Sequence, residues 1–362
     1  MKIEVLNAVN DAAVWHELMV KLPAQMQDMY FMPEYMALQS AGPDLQAVCF
    51  VFRAEPLVWM YPSLLRRFSV VGGQKLDRDY YDLESAYGYG GPVSNSTDQG
   101  FLSKAHAVFR EWCQANGVIA EFSRLHPLLQ NQCFLDPEVQ VLLDRDTRSL
   151  ELTKLDPEQP PFDGTTRNML RKAERSGVIV ERASLDKDWP QFVALYCKTM
   201  DRVGADAFYY FSDSYFSGLR ELARKSGFLL AAKLGEQLLS AAVFFKGQSY
   251  LHYHISATDP DHRMPGATNQ VIWQAGLLGR QAGLTHLHLG GGRTREAGDS
   301  LLRFKTSMST DSHPFHIAKR VHNKDAYSQV KNLWAAEYPD LASQYGQQIL
   351  CYHNEPARTC AK

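Results

Sequence analysis

Residues 228–257 limit the fold more than any other part of the chain. Three apolar and aromatic runs, 228–233, 237–245 and 249–257, are joined by Leu234-Gly-Glu236 and Lys246-Gly-Gln248. Connectors this short with a central glycine turn a strand back beside its neighbour, so the stretch reads as an antiparallel meander. A turn over 259–266, a helix over 267–281 and a strand over 285–289 follow, and the strand runs into Gly290-Gly291-Gly292. Meander, glycine turn, helix and strand in that order require a mixed-direction sheet with helices against it, an α/β arrangement.

The first half carries similar parts. Helical spacing covers 11–22 and 33–39, two β-like runs at 46–52 and 57–62 form a hairpin, and a helix over 102–116 ends at Gly117 before a strand at 118–122. Strands at 139–143 and 150–152 close this half. The segment from Asp156 to Gly164 is dense in proline and turn formers, which places a boundary there. The expected layout is a domain over 1–158, a second over 165–330 and a helical tail over 331–362. In the second domain, helices are expected at 165–176, 189–203, 213–225 and 299–304.

With 362 residues, 45% hydrophobic and 22% charged, the chain can bury a large core and has little room for disorder. Its formal net charge of -2 gives no bulk attraction for DNA or an anionic membrane. Six scattered cysteines form no C-x-x-C pair, the first 14 residues lack the apolar stretch of a signal peptide, and no apolar run is long enough to span a bilayer. These features predict a cytoplasmic protein with reduced thiols and no integral membrane segment.

Several strings sharpen the reading: DLESAYGYGGP at 82–92, TTRNMLRKAERSGVIVE at 165–181, PGATN at 265–269, and LHLGGG followed by DSLLRFKTSMS. With the order of elements, they resemble the FemAB-like branch of the GNAT acyltransferases. That resemblance implies two tandem GNAT-like domains and amide formation without a tightly bound cofactor, using acyl-CoA or aminoacyl-tRNA as co-substrate. The implied acceptor is an amine on an amino-sugar, a cell-envelope glycan or a peptidoglycan precursor, free or carrier-linked. In such a site the meander strands part near their middle, which would set the acyl group between 241–245 and 251–255. The pyrophosphate loop of the superfamily corresponds to Arg263-Met-Pro-Gly266-Ala267-Thr268, which ends in threonine in place of a small residue. Both donors therefore stay open.

Candidate residues follow from this frame and from side-chain chemistry. Arg263, Gly266, Ala267 and Asn269 are the cofactor-binding candidates of the turn. Gly291 and Arg293 join them, because a glycine turn lets backbone approach a ligand and a guanidinium clamps phosphate or carboxylate. Lys305, in the Phe304-Lys305 pair that the resemblance singles out, would stabilise phosphate or developing negative charge. His254 is the candidate proton acceptor, with Asp82 as a second carboxylate for that task. His252 and His288 are placed at the substrate, since alternate strand residues share a face. Tyr87 and Tyr89 suit stacking on a sugar or base. Arg167 and Arg171, one helical turn apart, would meet phosphates.

Two other classes remain at this level: a glycan- or nucleotide-binding module without turnover, and a metal-dependent hydrolase built on His252, His254, His286 and His288. No G-x-S-x-G or comparable nucleophile motif occurs, so direct attack by the amine is expected, without a covalent enzyme intermediate.

Overall fold

The computed structural model describes residues 1–356 other than 41, 263, 297 and 310. The chain forms two compact units, one of 1–23, 30–143 and 315–362, the other of 24–29 and 144–314. The proline-rich segment thus falls inside the second unit, and the C-terminal helical segment belongs to the first. No helix among the described residues is long and apolar enough to cross a membrane.

The first unit opens with β1 (Lys2–Asn7), α1 (Ala12–Met19) and α2 (Pro33–Gln39). Then come β2 (Leu45–Ala54), β3 (Leu57–Val71), β4 (Gln74–Glu84), the short β5 (Val93–Ser94), α3 (Gln99–Ala115) and β6 (Val118–Arg124). β3 is longer than the sequence suggests because its outer half, half-buried or exposed except for Val71, is held by pairing with β4. The helix α3 starts where Asp98 accepts a hydrogen bond from the Phe101 N–H, which satisfies one open amide of the first turn. Its Phe109 ring packs against Phe50, Trp59 and Tyr61 of the hairpin.

The next strand, β7 (Gln140–Glu151), is continuous where two short strands were expected, and it carries the chain into the second unit. There follow α4 (Gly164–Arg175), β8 (Ile179–Arg182), α5 (Trp189–Val203) and α6 (Asp213–Ser226). The meander is β9 (Gly227–Leu234), β10 (Gln237–Lys246) and β11 (Tyr250–Thr258). After it come α7 (Ala267–Gln281), β12 (His286–Gly291) and α8 (Ser300–Met308). The strand order is β7-β12-β11-β10-β9-β8, antiparallel except for the parallel pair β11/β12. One face is sealed by a cluster that includes Leu170, Val271, Ala275, Leu251 and Phe244.

Finally β13 (Ser312–Val321), α9 (Lys324–Glu337) and α10 (Pro339–Tyr345) return the chain to the first unit. Residues 317–321 of β13 pair with β6, giving the order β1-β2-β3-β4-β6-β13. Trp334 and Val330 of α9 are fully buried with Ile119 and Tyr352. Each unit therefore repeats one plan, an antiparallel meander, a crossover helix, and a strand parallel to the meander's last: β2-β3-β4, α3, β6 and β9-β10-β11, α7, β12.

Candidate functional site

The two parallel pairs differ where a ligand would enter. In the first unit the β4/β6 ladder runs from Tyr81/Val118 to Glu84/Phe122 and is prolonged by the Ser85 N–H on the Phe122 carbonyl and a bridge between Gly90 and Leu125. In the second unit β11 and β12 pair only at Tyr250/His286, Leu251/Leu287 and His252/His288. Beyond that point β11 stays laddered to β10, and β12 stays laddered to β7 through Gly290/Arg148 and Gly291/Thr147. The strands part, which leaves facing backbone groups without a ladder between them.

The expected gap between 241–245 and 251–255 is not where the opening lies. That pair stays antiparallel from Ser240/Thr258 to Lys246/Leu251, with a bulge in which Val243 faces Ile255 and Phe244 faces Tyr253. His254 is the extra residue of the bulge, and an extra residue bends a strand away from its neighbour. Bulges carry no residue-type signature of their own here, so sequence alone misassigns the pair that opens.

Lys305 stands at the rim of the opening. Its helix begins at Asp299, whose carboxylate accepts from the Leu302, Arg293 and Thr294 N–H groups and so ties α8 to the end of β12. From the last turn of α8 the Lys305 Nζ donates to the Gly291 carbonyl at 2.7 Å, with its side chain only 6% exposed. Burial pushes its pKa down to about 7; Asp299 opposes the shift and Arg145 adds to it. Arg145, which sequence reasoning missed, donates to the neighbouring Gly292 carbonyl at 2.9 Å.

The histidines divide into separate environments. His252 and His288 lie ring to ring at 5.7 Å, and the His252 Nε2 sits 2.7 Å from the Asp28 carboxylate. Asp28 is 224 positions away in a segment with no motif, so nothing in the sequence announces it. His286 turns to Tyr250 and His313 instead. His254 packs on Phe245, with its Nε2 3.4 Å from the Tyr215 hydroxyl. Burial, with His252 as a second cause, pushes the His254 pKa down to about 3. A base that weak takes up a proton poorly near neutrality, whereas Lys305 is tuned to it.

The turn before α7 is occupied by protein. Gly266 has φ of +94°, and a Cβ there would meet the Met169 carbonyl oxygen of α4 at 2.3 Å. Ala267 and Asn269 are buried, and the Asn269 amide bonds to the Met308 sulfur. Thr268, the departure from the superfamily loop, points its hydroxyl at Ser240 (3.0 Å) and Thr258 (3.2 Å). Arg263 lies outside the described residues. The other three candidates of this turn serve helix packing in this structure, a use that needs the same glycine and small residues as a pyrophosphate loop would. Arg293 is exposed, and its guanidinium donates to the Val203 carbonyl at the end of α5, where a cation suits the helix dipole.

Residues 162–305 match the model of the acetyltransferase (GNAT) domain family. The second unit is a GNAT acyltransferase domain. No curated protein matches the sequence. Among solved structures, the chain is similar to FemX, at 14% identity and a TM-score of 0.67 over 91% of this chain and 99% of that one. It is also similar to L-PGS from Bacillus licheniformis, at 11% identity and 0.56 over 86% and 92%. A third is a tandem GNAT protein from the clavulanic acid biosynthesis pathway, at 12% identity and 0.50 over 89% and 99%. Identities this low establish the shared fold, which is the tandem GNAT-like arrangement that the repeated plan describes.

Asp82, Tyr87 and Tyr89 belong to the first unit, and Arg167 and Arg171 to α4 of the second. Asp82 is fully buried in the first unit, accepting from the Tyr352 hydroxyl at 2.8 Å and paired with the His353 Nε2 at 2.7 Å. Burial raises its pKa against the pull of His353. It anchors the C-terminal turn there. Tyr87 receives the Tyr35 hydroxyl on its carbonyl, and Tyr89 stacks edge-on with Tyr30, His126 and Phe315. Within the GNAT domain, Arg167 and Arg171 are exposed on α4 and border a groove of about 490 Å³ that also meets Glu174 and Trp273.

Proposed function

We propose that the protein is an N-acyltransferase that moves an aminoacyl group from aminoacyl-tRNA to an amine on a cell-envelope glycan or peptidoglycan precursor. The observation that carries the reaction class is the parting of β11 and β12 beyond His252/His288 with Lys305 at its rim. An acyl carbonyl entering there meets strand-edge backbone groups and a lysine that is partly protonated near pH 7. The amine attacks the carbonyl carbon, and the oxygen gains negative charge as the tetrahedral intermediate forms. Lys305 as the ammonium donates toward that oxygen, held in place and kept from bulk water by its burial. Collapse expels the ester oxygen of the donor, which takes a proton as the amine nitrogen gives one up.

The choice of donor rests on the turn before α7. Since α4 packs on Gly266 and Thr268 is bonded inward, a nucleotide pyrophosphate has no open glycine loop to settle on, and an aminoacyl ester needs none. The acceptor class follows the FemAB-like resemblance, with FemX among the similar structures.

The test is a transfer assay with a mixture of aminoacyl-tRNAs, or acetyl-CoA, supplied against amino-sugar and peptidoglycan-precursor acceptors. The expected result is loss of label from aminoacyl-tRNA into an amide and a fall of about a hundredfold or more in Lys305→Met. Turnover of acetyl-CoA would overturn the donor assignment. Binding of acceptor with no turnover of either donor would leave a binding module.

A further inference from the structure

The first unit holds a second concave site of different chemistry. A cleft of about 540 Å³ lies among β13, α9 and the C-terminal segment, bordered by Lys319, Lys324, Lys331 and Tyr327. The one acid on its border, Glu138, is already held by Arg320 at 2.6 Å, and that arginine also binds Asp136. Lys319, Lys324 and Lys331 have no carboxylate within ion-pair distance among the described residues. Lys319 and Lys331 are half-buried, so each has given up part of its hydration without gaining an anion. The chain as a whole carries a formal charge of -2, so three uncompensated cations facing one cleft are a local feature and not a reflection of composition.

We infer that this cleft binds a run of phosphates on a nucleic-acid strand. Lys324, Tyr327 and Lys331 fall at i, i+3 and i+7 on α9 and so share one face. Seven residues at about 1.5 Å rise separate the two lysines by about 10 Å, which equals about three phosphate-to-phosphate steps of about 3.4 Å along a stacked strand. Lys324 also sits in the first turn of α9, which Asn323 caps, where the helix dipole favours an anion. Between the lysines, Tyr327 presents a half-buried ring whose hydroxyl is fixed on the Ile349 carbonyl, a rigid surface for a base or sugar. A nucleoside diphosphate has the same chemistry but spans only one end of the lysine row. The inference concerns the first unit alone and holds whichever donor the GNAT domain uses.

The experiment measures binding of a labelled 12-nucleotide single-stranded RNA to the whole protein by fluorescence anisotropy over a salt series, with UDP as competitor. Three phosphate contacts predict a slope of log affinity on log salt near about -2. Lys324→Glu/Lys331→Glu should weaken binding at least tenfold and flatten the slope, while Lys324→Arg/Lys331→Arg retains both. Lys104→Glu/Lys225→Glu, exposed on α3 and α6, should leave the slope unchanged. Competition by UDP at low micromolar concentration would assign the site to a free nucleotide as the phosphate source. RNA binding that is absent, or unaffected by the paired glutamates, would overturn the inference.

Discussion

Replacing Lys305 by methionine isolates the energetic cost of the most perturbed cation at the candidate site. In the folded chain its pKa is about 7 against the usual 10.5, so the folded state disfavours the ammonium by on the order of 4–5 kcal/mol relative to the unfolded chain. Because the folded value is the lower one, the unfolded chain binds more protons between about pH 7 and the ordinary lysine range, and stability rises with pH across that window. Below it the wild type bears the whole cost. Integrated from about pH 6 to about pH 9, this one group adds on the order of 2–3 kcal/mol to the wild type and nothing to the variant. Urea unfolding of both proteins at four pH values reads the difference, in which all other titrating groups cancel. The expected outcome is a methionine variant more stable than wild type at pH 6, with the gap shrinking by on the order of 2–3 kcal/mol by pH 9. Parallel curves would refute the argument, since they would mean that Lys305 titrates as a solvated lysine.

Gly266→Ala should cost about 3 kcal/mol or more, because the residue must hold a left-handed φ while its methyl group meets the Met169 carbonyl; a thermal melt checks this. Asp82→Asn should lower stability by about 2–4 kcal/mol, and amide exchange should speed up at 351–353, with the transfer rate of the remaining folded protein unchanged. Thr268→Ala should cost about 1 kcal/mol in urea unfolding and leave donor affinity as it was. The His254 ring signals in an NMR titration should not move between about pH 8 and about pH 5, since the imidazole stays neutral throughout.

The meander and the crossover helix α7 were legible because they rest on local signals: apolar runs, glycine-centred connectors and a periodic helix that starts just after Gly266. The bounds of α5 and α7 match the expected 189–203 and 267–281 for this reason. The strand β13 escaped notice because Ser312–Val321 mixes histidine, lysine and arginine with few apolar residues, and it becomes a strand through its partner β6. β4 was missed in the same way, as its exposed stretch is charged. At the site, Lys305 and the glycine turn could be picked out by chemistry and position. Asp28, Arg145 and Tyr215 could not, because each reaches its partner through tertiary packing. Asp82 shows the opposite error: a carboxylate in a suggestive string turned out to be the anchor of a segment some 270 residues away.

The route of the chain through the two units has a consequence for synthesis on the ribosome. The first unit is built from segments on both sides of the GNAT domain, and its sheet is completed by residues 317–321 while its core is closed by Trp334. After residue 143 has been made, that unit must wait, with β6 lacking its outer partner, while the whole inserted GNAT domain is translated. The insert waits only for residue 314 and contributes its own early piece, 24–29, from the start of the chain. The first unit is thus begun before the insert and completed after it, and the edge of β6 is shielded only once residues 317–321 have been made.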